Sequence, residues 1–406
     1  GLTMNATVDA GAGNDTVDAS GVANDNVQLH LIGGAGNDNL IGGDSPTGSA
    51  LGDILDGGDG DDRLEGGRGQ DFFFGGAGSD QLVWVAGDGS DLMEGGDGED
   101  EMLFDALGGN NRLELLGGGR FGATSNPAPN VFGPGTLENA GRSIFVLNSA
   151  VQDAAAVFLN MGNVEHINID AGAGADQVII NNQVATTSTN GDPLQLGSDL
   201  SATSVRGIEI NMGPADGAAD SVEFHGQQVG DDVNISDLGG DIDVAGFSYS
   251  LRISDSEVAN DTLIGHGQGG NDSLKAEDGV ENTIAIVLNG NIGDDLLSAD
   301  AILNGGAGND ILIGGLGDDT INGGDGDDVI DARGGNNTID GGAGADTILV
   351  SGTSAGETIS TVHAGGAFTI TGGLSAGSNT ITGIEQVRIE AGDGADTVNV
   401  TTDPTG

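Results

Sequence analysis

A nine-residue period constrains this chain more than any other feature. Gly33 to Ile41 reads GGAGNDNLI, and Gly57 to Phe74 reads GGDGDDRLE followed by GGRGQDFFF. Gly75 to Val83 reads GGAGSDQLV, and Gly95 to Leu103 reads GGDGEDEML. A later cluster, Gly305 to Asp331, reads GGAGNDILI, GGLGDDTIN and GGDGDDVID without a break. ARGGNNTID follows as a weakened copy, and GGAGADTIL closes the run at Leu349. Partial copies lie at Ala10 to Asp18, Ala86 to Glu94, Gly267 to Lys275 and Gly290 to Ser298. The shared pattern is G-G-x-G-x-D-x-U-x, with U apolar. A fixed short period of this kind specifies stacked coils, because one repeat alone cannot bury its apolar face.

The first six positions read as a turn and the last three as a short strand. Glycine opens backbone angles closed to other residues and lets neighbouring coils stack closely. Strand alternation sends position eight inward and positions seven and nine outward. The predicted inward residues are Leu40, Leu55, Leu64, Phe73, Leu82, Met93 and Met102, then Leu312, Ile321, Ile330, Ile339 and Ile348. One inward side chain per nine residues is a thin core against the entropy of ordering the whole repeat.

Composition sharpens that problem. The chain has 79 Gly among 406 residues, 64 Asp and Glu against 10 Lys and Arg, and a net charge of −54. Low hydrophobicity with high net charge keeps a chain disordered in plain water. Divalent cations are the natural source of the missing stability, because they bind carboxylates and cancel their repulsion. The same charge excludes nucleic acid and anionic membrane surfaces as partners. No run of 18 apolar residues exists, which argues against membrane insertion through a helix. The absence of Cys excludes disulfide scaffolds and thiolate metal sites.

The nonapeptide resembles the RTX (repeats-in-toxin) family, the haemolysin-type calcium-binding region, over 31–105 and 257–350. The resemblance implies an all-β fold. It would be a parallel β-roll or β-helix solenoid with Ca²⁺-binding GGxGxD turns, plus calcium-poor β-rich coils or insertions. It implies two nonapeptides per coil, with Ca²⁺ between turns on the same side, one coil apart, held by Asp carboxylates and backbone carbonyls. These are the hard oxygen ligands that Ca²⁺ prefers. Carried over residue by residue, one row would hold Asp38, Asp62, Asp80 and Asp100, and the opposite row Asp53, Asp71 and Asp91. In the second block Asp310, Asp328 and Asp346 would face Asp319. Asn337 occupies a sixth position, so a site beside Asp319 should be weaker or missing. Partial copies add Asp15, Asp272 and Asp295 as candidate ligands, and a longer repeat adds Asp176 and Asp396.

That longer repeat is VEHINIDAGAGADQV at Val164 to Val178 and IEQVRIEAGDGADTV at Ile384 to Val398. Looser copies lie at Ala6 to Val17 and Gly207 to Phe224. Each reads strand, Gly-Asp turn, strand. The organisation that follows is a degenerate ladder repeat at 1–30, a first block at 31–105, a calcium-poor β-rich region at 106–256, a second block at 257–350 and a terminal ladder repeat at 351–406. Ala106 to Gln152 and Thr347 to Gly392 contain no Asp and carry short β-branched runs such as Ile144–Phe145 and Phe368–Thr371. Asn126 to Gly135, with three prolines, reads as a loop, as does the break in the period at Asp44 to Leu51. Val151 to Leu159 is the one candidate for a helix.

Little in the sequence points to catalysis. GTSAG at Gly352 and GLSAG at Gly373 match G-x-S-x-G without the strand-to-helix turn a nucleophile needs. GHGQGG at Gly265 matches G-x-G-x-x-G without a dinucleotide-binding frame. His30, His166, His225, His266 and His363 form no spaced pair and read as surface or turn residues. With Trp84 and Tyr249 the only Trp and Tyr, a sugar-binding groove is not expected. The expectation is a non-enzymatic protein with no catalytic residues.

Phe72 and Phe74 flank inward Phe73, and Val83, Trp84 and Val85 lie one nonapeptide further on. This Phe72/Phe74/Trp84 patch reads as an outward contact for another subunit, or as a surface packed under an insertion of the same chain. Open coil ends, with unpaired backbone groups, offer a second route to a homo-oligomer or filament.

The functional expectation is a secreted or cell-surface structural protein, of Gram-negative type by resemblance, that folds on extracellular Ca²⁺. It would be a surface-layer, matrix or filament subunit or an adhesin stalk. The alternatives are the repeat region of a type I secreted enzyme or toxin, and a ligand-binding adhesin module. Gly1 to Ala10 has neither a basic start nor an apolar core, and TDPTG at the end carries no recognisable secretion signal. The expectation is a processed chain, another export route, or a piece of a longer array.

Overall fold

Each nonapeptide ends in a strand, and on one side of the coil that strand runs on into the glycines of the next copy. Ile54–Asp59 and Phe72–Ala77 are six-residue strands of this kind, while Arg63–Glu65, on the other side, has three residues. The computed structural model describes residues 4–23, 27–44, 52–89, 91–105, 112–117, 143–147, 157–180, 205–352, 355, 358–364, 367–371 and 379–402. The proline-bearing stretch 126–135, the 373–377 motif, and most of 44–51 and 352–356 lie outside them. The fold is all-β with parallel ladders. Among the described residues the helical content is one 3-10 turn, Val280–Asn282. The expected helix at Val151 to Leu159 is not formed where it is described: Val157 to Leu159 open the strand Val157–Gly162, as their β-branched and aromatic side chains favour.

Two compact units emerge: Gly1–Asp220 with Phe247–Ser256, and Ser221–Gly246 with Glu257–Gly406. In the first, Leu31, Leu55, Phe73 and Met93 are register partners on one side, and Leu40, Leu64, Leu82 and Met102 on the other. All eight are at most 1% exposed. The second side continues through Ile167, Ile208 and Leu251, in strands His166–Asp170, Gly207–Asn211 and Ser250–Ser254. In the second unit, Leu288, Leu303, Ile321 and Ile339 stack on one side and Leu297, Leu312, Ile330 and Ile348 on the other. The apolar residue at position eight is therefore the core.

Coil length varies without breaking the stack. Asp62 and Asp80, in adjacent coils, are 18 residues apart, Asp71 and Asp91 are 20 apart, and Asp38 and Asp62 are 24 apart. The 20-residue coil explains Trp84. Strands Gln81–Val85 and Glu101–Asp105 have five residues, so each supplies a second inward position. Trp84 and Phe104 fill it, fully buried and stacked with ring centroids 4.6 Å apart. The indole N–H of Trp84 donates to the Gly89 carbonyl at 2.9 Å. Trp84 is thus core and not part of an outward patch, because alternation from inward Leu82 places it inward too. Phe72 and Phe74 flank buried Phe73 and are half-exposed.

Among the described residues each unit accommodates a three-stranded antiparallel excursion within its parallel ladder, and the second unit adds the antiparallel pair Asp232–Asp237 and Ile242–Ala245. In the first, Arg112–Gly117, Ser143–Leu147 and Val157–Gly162 form a meander. Its ends pair in parallel with Gln177–Ile180 and Leu92–Asp97. In the second, Thr358–Ala364, Ala367–Thr371 and Thr380–Thr382 do the same. There the ends pair with Thr397–Thr402 and Thr338–Ala343. The long sequence repeat is the strand–turn–strand that follows each excursion.

Candidate calcium-binding turns

The turns owe their shape to glycine at two kinds of position. Gly34 and Gly36, the second and fourth of their copy, have φ of 112° and 122°, and a side chain there would strike the Gly11 and Gly13 carbonyls of the preceding coil. Gly33, the first, has ordinary φ, but a Cβ would come under 3.0 Å from both Oδ2 of Asp38 and the Gly57 carbonyl of the next coil. The same holds at Gly57, Gly75, Gly305 and Gly323. Position one is glycine because a carboxylate oxygen and a backbone carbonyl converge where a side chain would begin.

Position six forms continuous rows. The Asp15 N–H donates to Asp38 Oδ1 at 2.7 Å, Asp38 to Asp62 at 2.7 Å, Asp62 to Asp80 at 2.8 Å, and Asp80 to Asp100 at 2.9 Å. On the other side the Leu29 N–H donates to Asp53, Asp53 to Asp71, and Asp71 to Asp91. In the second unit one row runs from the Asp231 N–H through Asp272, Asp295, Asp310 and Asp328 to Asp346. The facing row runs from the Ala301 N–H through Asp319 and Asn337 to Asn379. The structure thus brings Asp272 and Asp295 into the row of Asp310. Asp176 is buried and its N–H donates to Asp220 Oδ1 at 2.7 Å. Asp396 is half-exposed in the turn before Thr397–Thr402.

One carboxylate oxygen is spent on each row and the other is left over. Oδ2 of Asp15, Asp38, Asp62, Asp71, Asp80, Asp91, Asp100, Asp272, Asp295, Asp310, Asp328 and Asp346 is buried without a hydrogen-bond partner. Such a cost is tolerated only where a cation or proton answers it. Burial pushes the carboxyl of Asp62 up to about 6 and those of Asp80, Asp272 and Asp310 up to about 7, and neighbouring row carboxylates add to the effect. Burial likewise lifts Asp71 and Asp91 well above the usual range. Buried carboxylate oxygens beside backbone carbonyls are the donor set of a hard divalent cation, so the turns fit calcium.

Three positions show the opposite solution. Oδ2 of Asp53 accepts from the Gly43 N–H at 2.8 Å, and Oδ2 of Asp319 from the Gly315 N–H at 3.0 Å. Asn337 goes further: its Nδ2 donates to the Ala332 and Gly334 carbonyls of its own turn, at 3.1 and 2.7 Å. An amide N–H₂ serves there in place of a positive charge.

Comparison with known families agrees with this chemistry. The family model described as RTX calcium-binding nonapeptide repeat (4 copies) matches residues 1–23, 30–45, 47–82, 302–330 and 313–348. The chain carries an RTX, haemolysin-type calcium-binding region. RTX repeats bind calcium, and Ca²⁺ is the cofactor of this chain. The match takes in 1–23, where the turn holding Asp15 starts the first row. No curated protein matches the chain significantly.

The RTX pattern leaves three features unread. Two of the rows end on glutamate: the Asp100 N–H donates to Glu165 Oε2 at 3.0 Å and the Asp346 N–H to Glu385 Oε2 at 2.9 Å. These are equivalent residues of the long repeat, a signal from which they could have been found but were not. Position five forms a second, exposed ladder running the other way. The Asp61 N–H donates to Asn37 Oδ1, Ser79 to Asp61, Asn309 to Asp294, and Asp327 to Asn309. The third feature corrects the reading of the histidines. His225 and His266 are not isolated; they stack with centroids 4.5 Å apart, although 225 and 266 share no local spacing.

Proposed function

We propose that this is a calcium-dependent structural protein of the cell exterior. It would be a surface-layer, matrix or filament subunit or an adhesin stalk, without catalytic activity. RTX proteins are generally secreted, and among the described residues no helix is long and apolar enough to cross a membrane. The observation that carries the proposal is the continuity of the rows. Buried Oδ2 atoms recur coil after coil in both units, so the cation belongs to the scaffold itself.

In this reading Asp38, Asp62, Asp71, Asp80, Asp91, Asp100, Asp272, Asp295, Asp310, Asp328 and Asp346 present Oδ2 toward Ca²⁺, with first-position carbonyls such as Gly57 and Gly323 beside them. Calcium supplies the positive charge that the metal-free turns lack. The Oδ1 atoms hold successive coils in register through the row hydrogen bonds. In low calcium the like-charged turns repel and the thin core cannot hold them. Outside the cell they fold, and binding free energy becomes folding free energy.

Size-exclusion chromatography with light scattering, in EDTA and then in millimolar Ca²⁺, tests the proposal. An expanded monomer that compacts and then assembles supports a structural subunit. Compaction to a plain monomer leaves calcium-dependent folding intact and rejects self-assembly, shifting the reading to the repeat region of a secreted enzyme or an adhesin module. No response to calcium rejects the whole reading.

A further inference from the structure

Outside the calcium turns, the second unit gathers three metal-ligating side chains in one place. Strands Ser221–His225 and Thr262–His266 pair in parallel, with His225 opposite His266 and Glu223 two residues before. Glu223 and His225 occur in the short run Glu223-Phe224-His225, so alternation puts both on the same face. Oε1 of Glu223 lies 2.8 Å from His225 Nε2 and 3.2 Å from His266 Nε2. All three ligand atoms fall within 4.8 Å of one another. Both Nε2 atoms face the same Glu223 oxygen, and the rings, parallel to within 6°, must tilt toward each other to direct both nitrogens at one ion. His225 is 4% exposed at its side chain, while His266 and Glu223 keep 22% and 17%, so solvent reaches the cluster from one direction.

We propose that Glu223, His225 and His266 form a second kind of metal site, for a divalent transition metal of the zinc class, separate from the calcium rows. Two imidazole nitrogens and one carboxylate oxygen suit zinc and its neighbours and are poor ligands for Ca²⁺. Tetrahedral Zn²⁺, with bonds of about 2.0–2.1 Å, needs ligand atoms roughly 3.3 Å apart. The 2.8 and 3.2 Å separations must open by up to about half an ångström, and the two Nε2 atoms, within 4.8 Å of each other, must reach the same spacing. Three protein ligands leave the fourth position to water, as in other His₂Glu zinc sites.

The surroundings supply the outer contact that such a site needs. Gln268 holds its side-chain Nε2 2.6 Å from His225 Nδ1. When metal binds, this amide must turn over, so that its Oε1 accepts the Nδ1 proton and Nε2 of the ring is left to the metal. Gln268 does this from φ of 75°, a left-handed conformation that a side chain occupies at a cost.

The test uses the full chain, folded in saturating Ca²⁺, with Zn²⁺ added against a chromophoric chelator while the imidazole ¹H–¹⁵N signals are followed. The expected result is one equivalent of Zn²⁺ retained in excess Ca²⁺, with two of the five histidines shifted. His266→Ala and Glu223→Gln should abolish that equivalent while leaving calcium-induced compaction unchanged. Gln268→Ala should weaken it by about 10- to 100-fold. If no imidazole signal moves, or all five move alike, zinc is held only by surface carboxylates and the proposal is overturned. It is also overturned if the double variant H225A/H266A folds and still retains the equivalent. The wild-type spectrum decides the matter even if a variant fails to fold.

Discussion

In the first block buried carboxylates with unanswered Oδ2 atoms lie on both sides of the coil: Asp38, Asp62, Asp80 and Asp100 on one, Asp71 and Asp91 on the other. In the second block they lie on one side, Asp272 to Asp346, while the facing row runs through Asp319, Asn337 and Asn379. The backbone hydrogen bonds of the two kinds of row are alike, at 2.8 Å for Asp62 to Asp80 and 2.7 Å for Asp319 to Asn337. What differs is the second atom of the side chain. An Asp turn leaves an acceptor facing carbonyls, acceptor against acceptor, and needs a cation between them. The Asn337 turn puts a donor there and closes by itself. One atom separates a turn that requires calcium from one that does not.

The largest expected effect comes from removing the metal. EDTA should unfold the first block completely and leave the side of the second block around Asn337 the better protected. Amide hydrogen exchange with and without calcium would show the gradient, and uniform protection would break the comparison. Acid should partly replace calcium. The folded carboxyls of Asp62, Asp80 and Asp310 sit at about 6 to 7, above the unfolded value near 4. The metal-free fold therefore holds protons more tightly than the unfolded chain. Its stability is greatest below about pH 4 and is lost as pH rises through 6 to 7. The calcium-loaded fold has the opposite slope, because protons compete with the metal. Circular dichroism against pH, with EDTA and with Ca²⁺, should give crossing curves.

Trp84→Ala should come next, costing about 3–5 kcal/mol by opening a cavity in the core. It should act on the first unit alone, measured as a separate thermal transition in Ca²⁺. Asn337→Asp should then convert a closed turn into a calcium turn. In EDTA it should destabilise the second unit by about 1–3 kcal/mol, the cost of an unanswered buried acceptor. In Ca²⁺ it should add binding by calorimetric titration. The reverse change, Asp328→Asn, should remove calcium from the second block and leave the first unaltered; equal loss from both would contradict the row assignment. The smallest effect is expected at position five. Asn309→Ala breaks an exposed ladder and should cost under about 1 kcal/mol with no calcium lost.

Much of this was legible in the nonapeptide. The period of nine named the inward residues, and all those from Leu40 to Ile348 that it singled out are buried. The RTX resemblance implied Asp38, Asp62, Asp80 and Asp100 on one row and Asp53, Asp71 and Asp91 on the other, which is how the hydrogen bonds run. Trp84 was misread because the local period was extended through a coil that is two residues longer than its neighbour. The sequence flagged the neighbourhood of Asp319 through Asn337, but it did not show that backbone N–H groups of Gly43 and Gly315 already answer Asp53 and Asp319.

The amino-acid sequence by itself determined the coil, its inward face and its charge, because a strict repeat makes each residue's surroundings a copy of its neighbour's. Tertiary structure decided what depends on register across variable coils. It chose which glutamate ends a row, gathered Asp272 and Asp295 with Asp310, and stacked His225 on His266. Those pairs lie in adjacent coils whose lengths are set by loops and excursions. No local spacing encodes them; only the hydrogen-bonded alignment of one coil on the next brings them together.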